Sequence, residues 1–589
     1  MNRILDGIIS PNDLKRLSES ELERLCGEIR EQMIKRISVT GGHLGSNLAV
    51  IELTTALHYV FDSPNDKIIF DVSHQCYTHK LLTDRKAAYV DPNEYSSVSG
   101  FTDPDESPHD LFSVGHTSTA ISLAVGTAKA RDIKREMYNV IAVVGDGALS
   151  GGEAWEGLNN AAMLIGNIII VINDNDMSIS ENQGGLYKNL RLLRDSGGKA
   201  ECNVFRAMGF DYFFVRNGNS FKEVSGVLAE VKDIASPVIV HVCTVKGKGY
   251  PPAELDREKW HYIAPFDVKM GEPLHSVETA ETYENLTRDY LINKMSTDPT
   301  IVAVTAGTPK IVGFDRELRR RFTNQFVDVG IAEDHAVTFI SGMAKNGCKP
   351  VFGVSSSFLQ RTYDQLSSDL ALNKSPAVIL VFFSGISHGS KTHMGGFDIP
   401  LASNIPNIIF LAPTCKEEYL DMLEWSIEQR ETPVIIRVPG IRTTSGNVRL
   451  PHRYALPAKY EIVENGTDAA ILALGSFYEL GAEARRILIT EHGVSVSLIN
   501  PRYVSELDND TLNGLIRNGC RMIVTLENGV LDGGFGEKIA RFYGDSSVKV
   551  LCFGAPKKFI DRVSVEEQYN EYGLMPRQIV SEIISVLKS

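Results

Sequence analysis

The 589-residue chain has no Cys-x-x-C pair, no long apolar run and no excess of basic residues. Its eight cysteines (Cys26, Cys76, Cys202, Cys243, Cys348, Cys415, Cys520 and Cys552) are widely scattered, which excludes the usual zinc-ligand spacings and a redox dithiol. Scattered thiols suit a reducing compartment. The longest apolar run, 377–383, falls far short of the roughly 20 residues that a membrane helix needs. Residues 1–25 alternate charged and apolar side chains without the apolar core of a secretory signal, so a cytoplasmic protein with no membrane partner is expected. With 60 Lys and Arg against 74 Asp and Glu the formal charge is -14, which argues against non-specific nucleic-acid binding. An acidic chain that binds phosphorylated small molecules must concentrate positive charge locally. Short-period repeats and low-complexity tracts are also missing.

What is present is an alternation of strand and helix patterns, the signature of parallel sheets flanked by helices. The length and a 43% hydrophobic content suit three or so domains. The fold class expected is α/β, with three domains and mainly parallel sheets. The first domain is placed at 1–275, closing in the Pro-, Gly- and charge-rich stretch 246–267. The second, 276–445, opens with a helix over 278–295 and continues through strands at 301–305, 350–354 and 377–383. After the connector 449–459 the third, 455–589, carries strands at 469–474, 495–499 and 522–525.

The most informative motif is Gly145-Asp146-Gly147, followed one helix and one strand later by Asn173-Asp174-Asn175. Apolar 140–144 reads as a buried strand, the two glycines as a tight turn, 152–164 as a helix with Trp155, Leu158 and Ala162 on one face, and 167–172 as the next strand. A carboxylate facing a diphosphate would repel it unless a divalent cation lies between them. Mg²⁺ asks for about six oxygens; Asp146, Asn175, a backbone carbonyl near Met177, two diphosphate oxygens and a water could supply them. The helix N-terminus would add its dipole. A dinucleotide loop fits less well, because the third glycine of that fingerprint is missing. Alone, a Gly-Asp-Gly turn is as easily structural as functional; the Asn-Asp-Asn at this spacing favours the metal-diphosphate reading.

The run GDGALSGGEAWEGLNNA through VINDNDMSISENQGGL resembles the thiamine diphosphate motif of the transketolase superfamily, and most closely that of the 1-deoxy-D-xylulose-5-phosphate synthases. GGHLGSNLAVIELTTALHYVF, FDVSHQCYTHKLLTDR, SVGHTSTAISLAVGTA, KGKGYPPAE, VDVGIAEDHAVTFISGMA, SSFLQRTYDQ and THMGGFD extend the resemblance over nearly the whole chain. It implies two thiamine diphosphate-binding domains, with the cofactor between them in a homodimer, and a transketolase C-terminal-like domain that is mainly structural. Its loops at Glu527-Asn528 and Gly533-Gly534 would be dimer scaffold. Such an enzyme decarboxylates pyruvate and transfers the two-carbon unit to D-glyceraldehyde 3-phosphate. The product is a precursor of isoprenoids, thiamine and pyridoxal phosphate.

Carried over residue by residue, the resemblance makes Asp146, Asn175 and Met177 the Mg²⁺ site. Gly115, His116, Gly145, Gly147, Ala148 and Lys246 join them on the cofactor's diphosphate side, together with His43 and His74. Glu333 matches the glutamate that bonds the aminopyrimidine ring; Phe358 matches the aromatic that stacks on it, and Arg361 belongs to the same set. His261 and His393 would face the substrate, and Glu333, His43, His261 and His393 form the catalytic set. On pattern alone Glu333 is a helix-start acid, Phe358 a core aromatic, Lys246 a solvated lysine and each histidine an ordinary surface or core residue.

The acceptor half departs from the family. Where the synthases carry Asp-Arg-Ala-Gly and a later Asp-Gly, this chain has 383–393, two residues shorter and without that arginine or aspartate. The arginine of Tyr-Pro-Arg-Gly is missing around Arg437-Val438-Pro439-Gly440, Ser355 replaces a tyrosine, the 100–105 loop lacks an arginine, and 185–201 is shortened. Two of the lost arginines hold the acceptor's phosphate in the family, and losing two charged hydrogen bonds at roughly 1.5–3 kcal/mol each would weaken acceptor binding about a hundredfold or more. Either Lys391, His388, Arg361 or Arg442 compensates, or the acceptor is another aldehyde. Ketol transfer of the transketolase type is a rival activity. A non-catalytic homologue is disfavoured, because a scaffold need keep none of these residues.

Overall fold

In the computed structural model the described residues are 3–274, 280–387 and 390–588. The chain divides into two units, one of residues 1–278 with 330–332 and one of residues 279–329 with 333–589.

The first unit is built on β1 (Lys67–Phe70), β2 (Val140–Gly145), β3 (Ile168–Asp174), β4 (Asp211–Val215) and β5 (Pro237–Cys243). They pair in parallel in the order β1-β2-β3-β5-β4. Their near-continuous Val/Ile runs are what a strand buried on both faces requires. Alternate residues feed two cores. Ile141, Val143, Ile169 and Val171 pack with residues of helices Glu19–Thr40, Ile51–Val60 and Phe221–Val231. Ala142, Val144, Ile170 and Ile172 pack with those of helices Ala120–Lys134, Gly152–Ala161 and Leu186–Asp195.

Two boundaries differ from the sequence reading in ways that matter for the site. The third strand runs two residues past Ile172, because Asn173 and Asp174 stay in the ladder opposite Val242 and Cys243. Only Asn175 of the Asn-Asp-Asn motif leaves the sheet. The following helix is shorter than 152–164, ending at Ala161, and a 3₁₀ turn, Asp146–Ser150, separates β2 from it.

The second unit holds two sheets. One contains β6 (Ile301–Thr305), β7 (Phe326–Asp328), β8 (Lys349–Ser355), β9 (Val378–Phe382), β10 (Ile409–Leu411) and β11 (Val434–Arg437), in the all-parallel order β10-β11-β9-β8-β6-β7. The expected helix from 278 begins at Tyr283, because the Thr282 hydroxyl accepts from Asn285 N and caps it there; 278 and 279 lie outside the described residues. The other sheet contains β12 (Glu461–Glu464), β13 (Ala469–Ala473), β14 (Val496–Asn500), β15 (Met522–Val530) and β16 (Lys549–Ala555), in the order β12-β14-β13-β15-β16. Only the edge strand β12 runs antiparallel. Among the described residues no helix is long and apolar enough to cross a membrane.

The two sheets of the second unit are joined by a buried ion pair. Arg502, just beyond β14, donates through Nε to Glu418 of helix Lys416–Glu428 at 2.7 Å. Its other nitrogen bonds Glu461 and the Arg449 carbonyl. Glu418 is fully buried and also accepts from Asn500 Nδ2 at 2.9 Å. Arg502→Ala strands this carboxylate, and the loss expected is about 3–5 kcal/mol. Differential scanning calorimetry should show a clear downward shift of the transition of this unit. Lys459→Ala, which removes an exposed lysine's pairs to Asp510 and, at 3.7 Å, Asp508, should change it by about 1 kcal/mol or less.

Candidate active site

The ends of β2 and β3 lie side by side, with Gly145 opposite Asn173 in the register. The chain leaves both strands at their carboxyl ends, where open α/β sheets bind ligands. Asp146 is buried, and its Oδ2 accepts from Asn182 Nδ2 at 2.6 Å and Met177 N at 3.2 Å. Burial and the nearby Asp174 carboxylate push its pKa well above the usual range. The side chain of Asn175 has a buried Oδ1 that accepts no hydrogen bond, and Ser178 Oγ is likewise buried and unpaired. An acid that resists ionisation beside an unsatisfied amide oxygen is a donor set that suits a hard divalent cation. The amide of Met177 is what turns toward Asp146.

The tight turn forms as the 3₁₀ segment Asp146–Ser150, and neither of its glycines adopts left-handed backbone. Gly145 has φ −73°, and a Cβ there would meet nothing within 4 Å. A Cβ on Gly147 would lie 2.9 Å from the Cβ and Oγ of Ser178, so close approach of the 175–180 segment demands glycine. Beside this turn, Ser118 Oγ donates to the Ala148 carbonyl at 2.7 Å. Asp71 accepts from Ser118 N and Ala120 N, which fixes the 114–119 loop bearing Gly115 and half-buried His116.

Lys246 is almost fully buried rather than solvated. Its Nζ donates to Ser178 O at 2.5 Å and lies 3.2 Å from His261 Nδ1. Burial lowers its pKa to about 8. Three histidine rings meet here, with centroids of 4.9 Å for His43–His74, 5.5 Å for His43–His261 and 5.2 Å for His74–His261. Asn47 holds two of the loops, donating to the carbonyls of His43 and His74 at 2.7 and 2.8 Å. Residue typing missed Asn47, whose role comes from contacts 27 residues apart in sequence. Asn182 was missed for the same kind of reason.

Asp174, His241 and Cys243 form another buried cluster, with potential ligand atoms within 4.8 Å of one another. It is already neutralised. Arg194 Nη1 grips both oxygens of Asp174 at 2.6 and 2.8 Å, and His241 spends its two nitrogens on Asp174 and Tyr212. Arg194 also pairs with Asp176, so it braces the residues on either side of Asn175.

In the second unit Glu333 opens helix Glu333–Lys345 and is 3% exposed. Its Oε2 accepts no hydrogen bond, and Arg361 Nη1 is 3.8 Å away. Burial raises its pKa to about 7. Phe358, on the turn Ser356–Leu359 after β8, is only half-buried, unlike the core aromatic that pattern alone suggests. His393 lies edge-on to it at 5.7 Å.

A profile for 1-deoxy-D-xylulose-5-phosphate synthase matches residues 5–202 and 196–244, one for the transketolase pyrimidine binding domain residues 280–443, and one for the transketolase C-terminal domain residues 458–579. A 1-deoxy-D-xylulose-5-phosphate synthase of Clostridium acetobutylicum is 38% identical, over 99% of this chain and 100% of the relative. One of Caldanaerobacter subterraneus is 38% identical over 99% of each chain. This chain belongs to the 1-deoxy-D-xylulose-5-phosphate synthase family. Membership implies thiamine diphosphate with a divalent metal. A solved transketolase from Leishmania mexicana, 14% identical over 96% of this chain and 97% of its own, superposes at a TM-score of 0.44.

Arg437 is no substitute for a phosphate-binding arginine: it is buried, bonds Asp398 at 2.6 and 3.1 Å, and donates to Asn528 O. Arg361 is turned to Glu333. The backbone of Arg442 pairs with Thr282 beside the start of helix Tyr283–Met295. Lys391 donates its backbone N–H to Asp561. His388 lies outside the described residues.

Glu333 provides a pH test. An acid whose pKa rises from 4.5 to about 7 on folding costs nothing below 4.5, and its penalty grows to roughly 3 kcal/mol above pH 7. Glu333→Gln removes that penalty. In cofactor-free thermal melts the variant should exceed the parent at about pH 8 and converge with it near pH 5. A difference independent of pH would refute this account of the buried carboxyl.

Proposed function

We propose that this chain decarboxylates pyruvate and joins the two-carbon unit to D-glyceraldehyde 3-phosphate, giving 1-deoxy-D-xylulose 5-phosphate. The observation that carries the reading is the pairing of two unsatisfied oxygens in the sites above. Asn175 Oδ1 and Glu333 Oε2 are both buried without a hydrogen bond, and the backbone of Asn175 lies against Asp146, a carboxylate whose ionisation burial disfavours. Unsatisfied buried polar atoms are costly, and they persist where a ligand completes them. Full-length similarity to synthases supports this reaction over ketol transfer and over a changed acceptor.

Asp146, Asn175 and a carbonyl at Met177 would hold Mg²⁺. Gly115, His116, Gly145, Gly147 and Ala148 would line the diphosphate, and Lys246 would neutralise it. Thiamine diphosphate, when bound, supplies the ionisable carbon that attacks a keto group and accepts the electrons released with CO₂. Glu333 would keep a proton shared with the aminopyrimidine ring, which its raised pKa permits near neutrality. Phe358 would stack on that ring, with Arg361 holding the glutamate. His43, His74, His261 and His393 would donate to substrate oxygens as negative charge develops on them. The same reading divides the chain at about 275 and 445–455, and makes it a cytoplasmic homodimer that binds neither membrane nor nucleic acid.

Glu333→Ala should lower turnover by roughly a hundredfold to ten-thousandfold. Mg²⁺-dependent thiamine diphosphate binding, followed by fluorescence quenching, should stay near the parent value; unchanged turnover refutes the assigned role. Asp146→Asn should instead lose the Mg²⁺-dependent part of binding. An aldehyde panel with pyruvate as donor decides the acceptor, and glyceraldehyde 3-phosphate is expected to be turned over best.

A further inference from the structure

We propose that the C-terminal domain takes part in the acceptor side of the site, with Asn528 as a positioning residue that fixes the loop bearing His393. This rests on the function proposed above. The loop leaves β9 at Phe383 and returns to helix Asp398–Ala402. One side of it faces the residues of the pyrimidine half. Gly395 O accepts from Ser356 Oγ at 2.7 Å and from Gly385 N at 2.8 Å, and His393 stands edge-on to Phe358.

The C-terminal domain binds the other side at Ile386, Ser387, Lys391 and Gly396. Ile386 N donates to Asn528 Oδ1 at 2.8 Å, and the Ile386 side chain packs on that domain's core. Gln568 Nε2 donates to Ser387 O at 3.1 Å and Lys391 N to Asp561 Oδ1 at 3.2 Å. Gly396 O accepts from Val530 N at 3.0 Å. Among its described residues the loop has no helix or strand, only the isolated bridge between Gly385 and Gly395. Phe383 sits at φ 53° and Gly385 at φ 90°, where a Cβ would come within 2.5 Å of the Asn528 amide. Such backbone persists only when the surroundings dictate it.

Asn528 is suited to this task by its place on β15. Between Leu526 and Val530 that strand slips out of register with β16, and a bulge of this kind re-aims a side chain. The amide then reaches the loop through Oδ1 and Ser476 Oγ through Nδ2 at 3.1 Å, while Arg437 binds its backbone carbonyl. The space left between the loop and the domain, lined by Ile386, Met394, Val530, Ile560 and Tyr572, is about 20 Å³. That is room for about one water, so the contact acts by holding the loop and offers no second ligand site.

Steady-state kinetics of Asn528→Ala with pyruvate and D-glyceraldehyde 3-phosphate test this directly. Loss of the hydrogen bond to Ile386 N should raise KM for the aldehyde about fivefold. KM for pyruvate and the affinity for thiamine diphosphate should stay within about twofold of the parent. Hydrogen exchange read by mass spectrometry should show faster exchange in 383–396. Equal rises in both KM values, or unchanged protection of 383–396, overturn the proposal. A parent protein that forms no aldehyde-dependent product defeats the functional reading instead, and the exchange measurement then still judges the loop contact. Should Asn528→Ala not fold, Gln568→Ala and Asp561→Ala carry the same comparison, each expected to act in the same direction.

Discussion

A carboxylate buried at the end of a parallel strand must be compensated, and much of the first unit is arranged around that demand. Asp146 and Asp174 stand at the ends of adjacent strands, close enough for each to disfavour ionisation of the other. The structure compensates them differently. Asp174 is gripped by Arg194 and His241 and is held below the usual carboxylate range. Among the described residues Asp146 has hydrogen bonds and the more distant charge of Lys246 but no such ion pair, so it is the one that a metal would complete.

That division has consequences for neighbouring segments. Because Asp174 is paired within the protein, Asn173 and Asp174 can stay in the sheet and Asn175 alone turns out with its amide oxygen unused. Arg194 reaches Asp174 from helix Leu186–Asp195. Lys246 places a second buried cation by way of Ser178 O, giving an acidic chain the local positive charge that a diphosphate requires.

Glu333 follows a related logic in the second unit. Its carboxyl is buried, and the Arg361 guanidinium 3.8 Å away does not offset that burial, so it keeps its proton to a higher pH than a surface glutamate. Isolated burial of this kind costs stability, and active sites accept such costs where proton transfer needs them. The His393 loop shows the opposite arrangement, since its strained backbone is held by many weak contacts from a domain that the resemblance treats as structural. Position in the chain gives no hint that Asn528 and Ile386, 142 residues apart, share a hydrogen bond.

The sequence by itself determined the α/β class, eight of the sixteen described strands of the three sheets, and the family. Hydrophobic runs and short motifs are local, and local patterns survive without knowledge of the fold. Tertiary structure alone decided that Gly147 is needed for close approach to Ser178 and Gly145 is not, that Lys246 is buried, and that Phe358 is held out of the core. It also decided that Arg437 is consumed by Asp398 and Asn528 and so cannot stand in for a lost phosphate ligand. Burial, pairing and the orphaning of a polar atom are properties of what surrounds a side chain, and those surroundings come from segments far away in sequence.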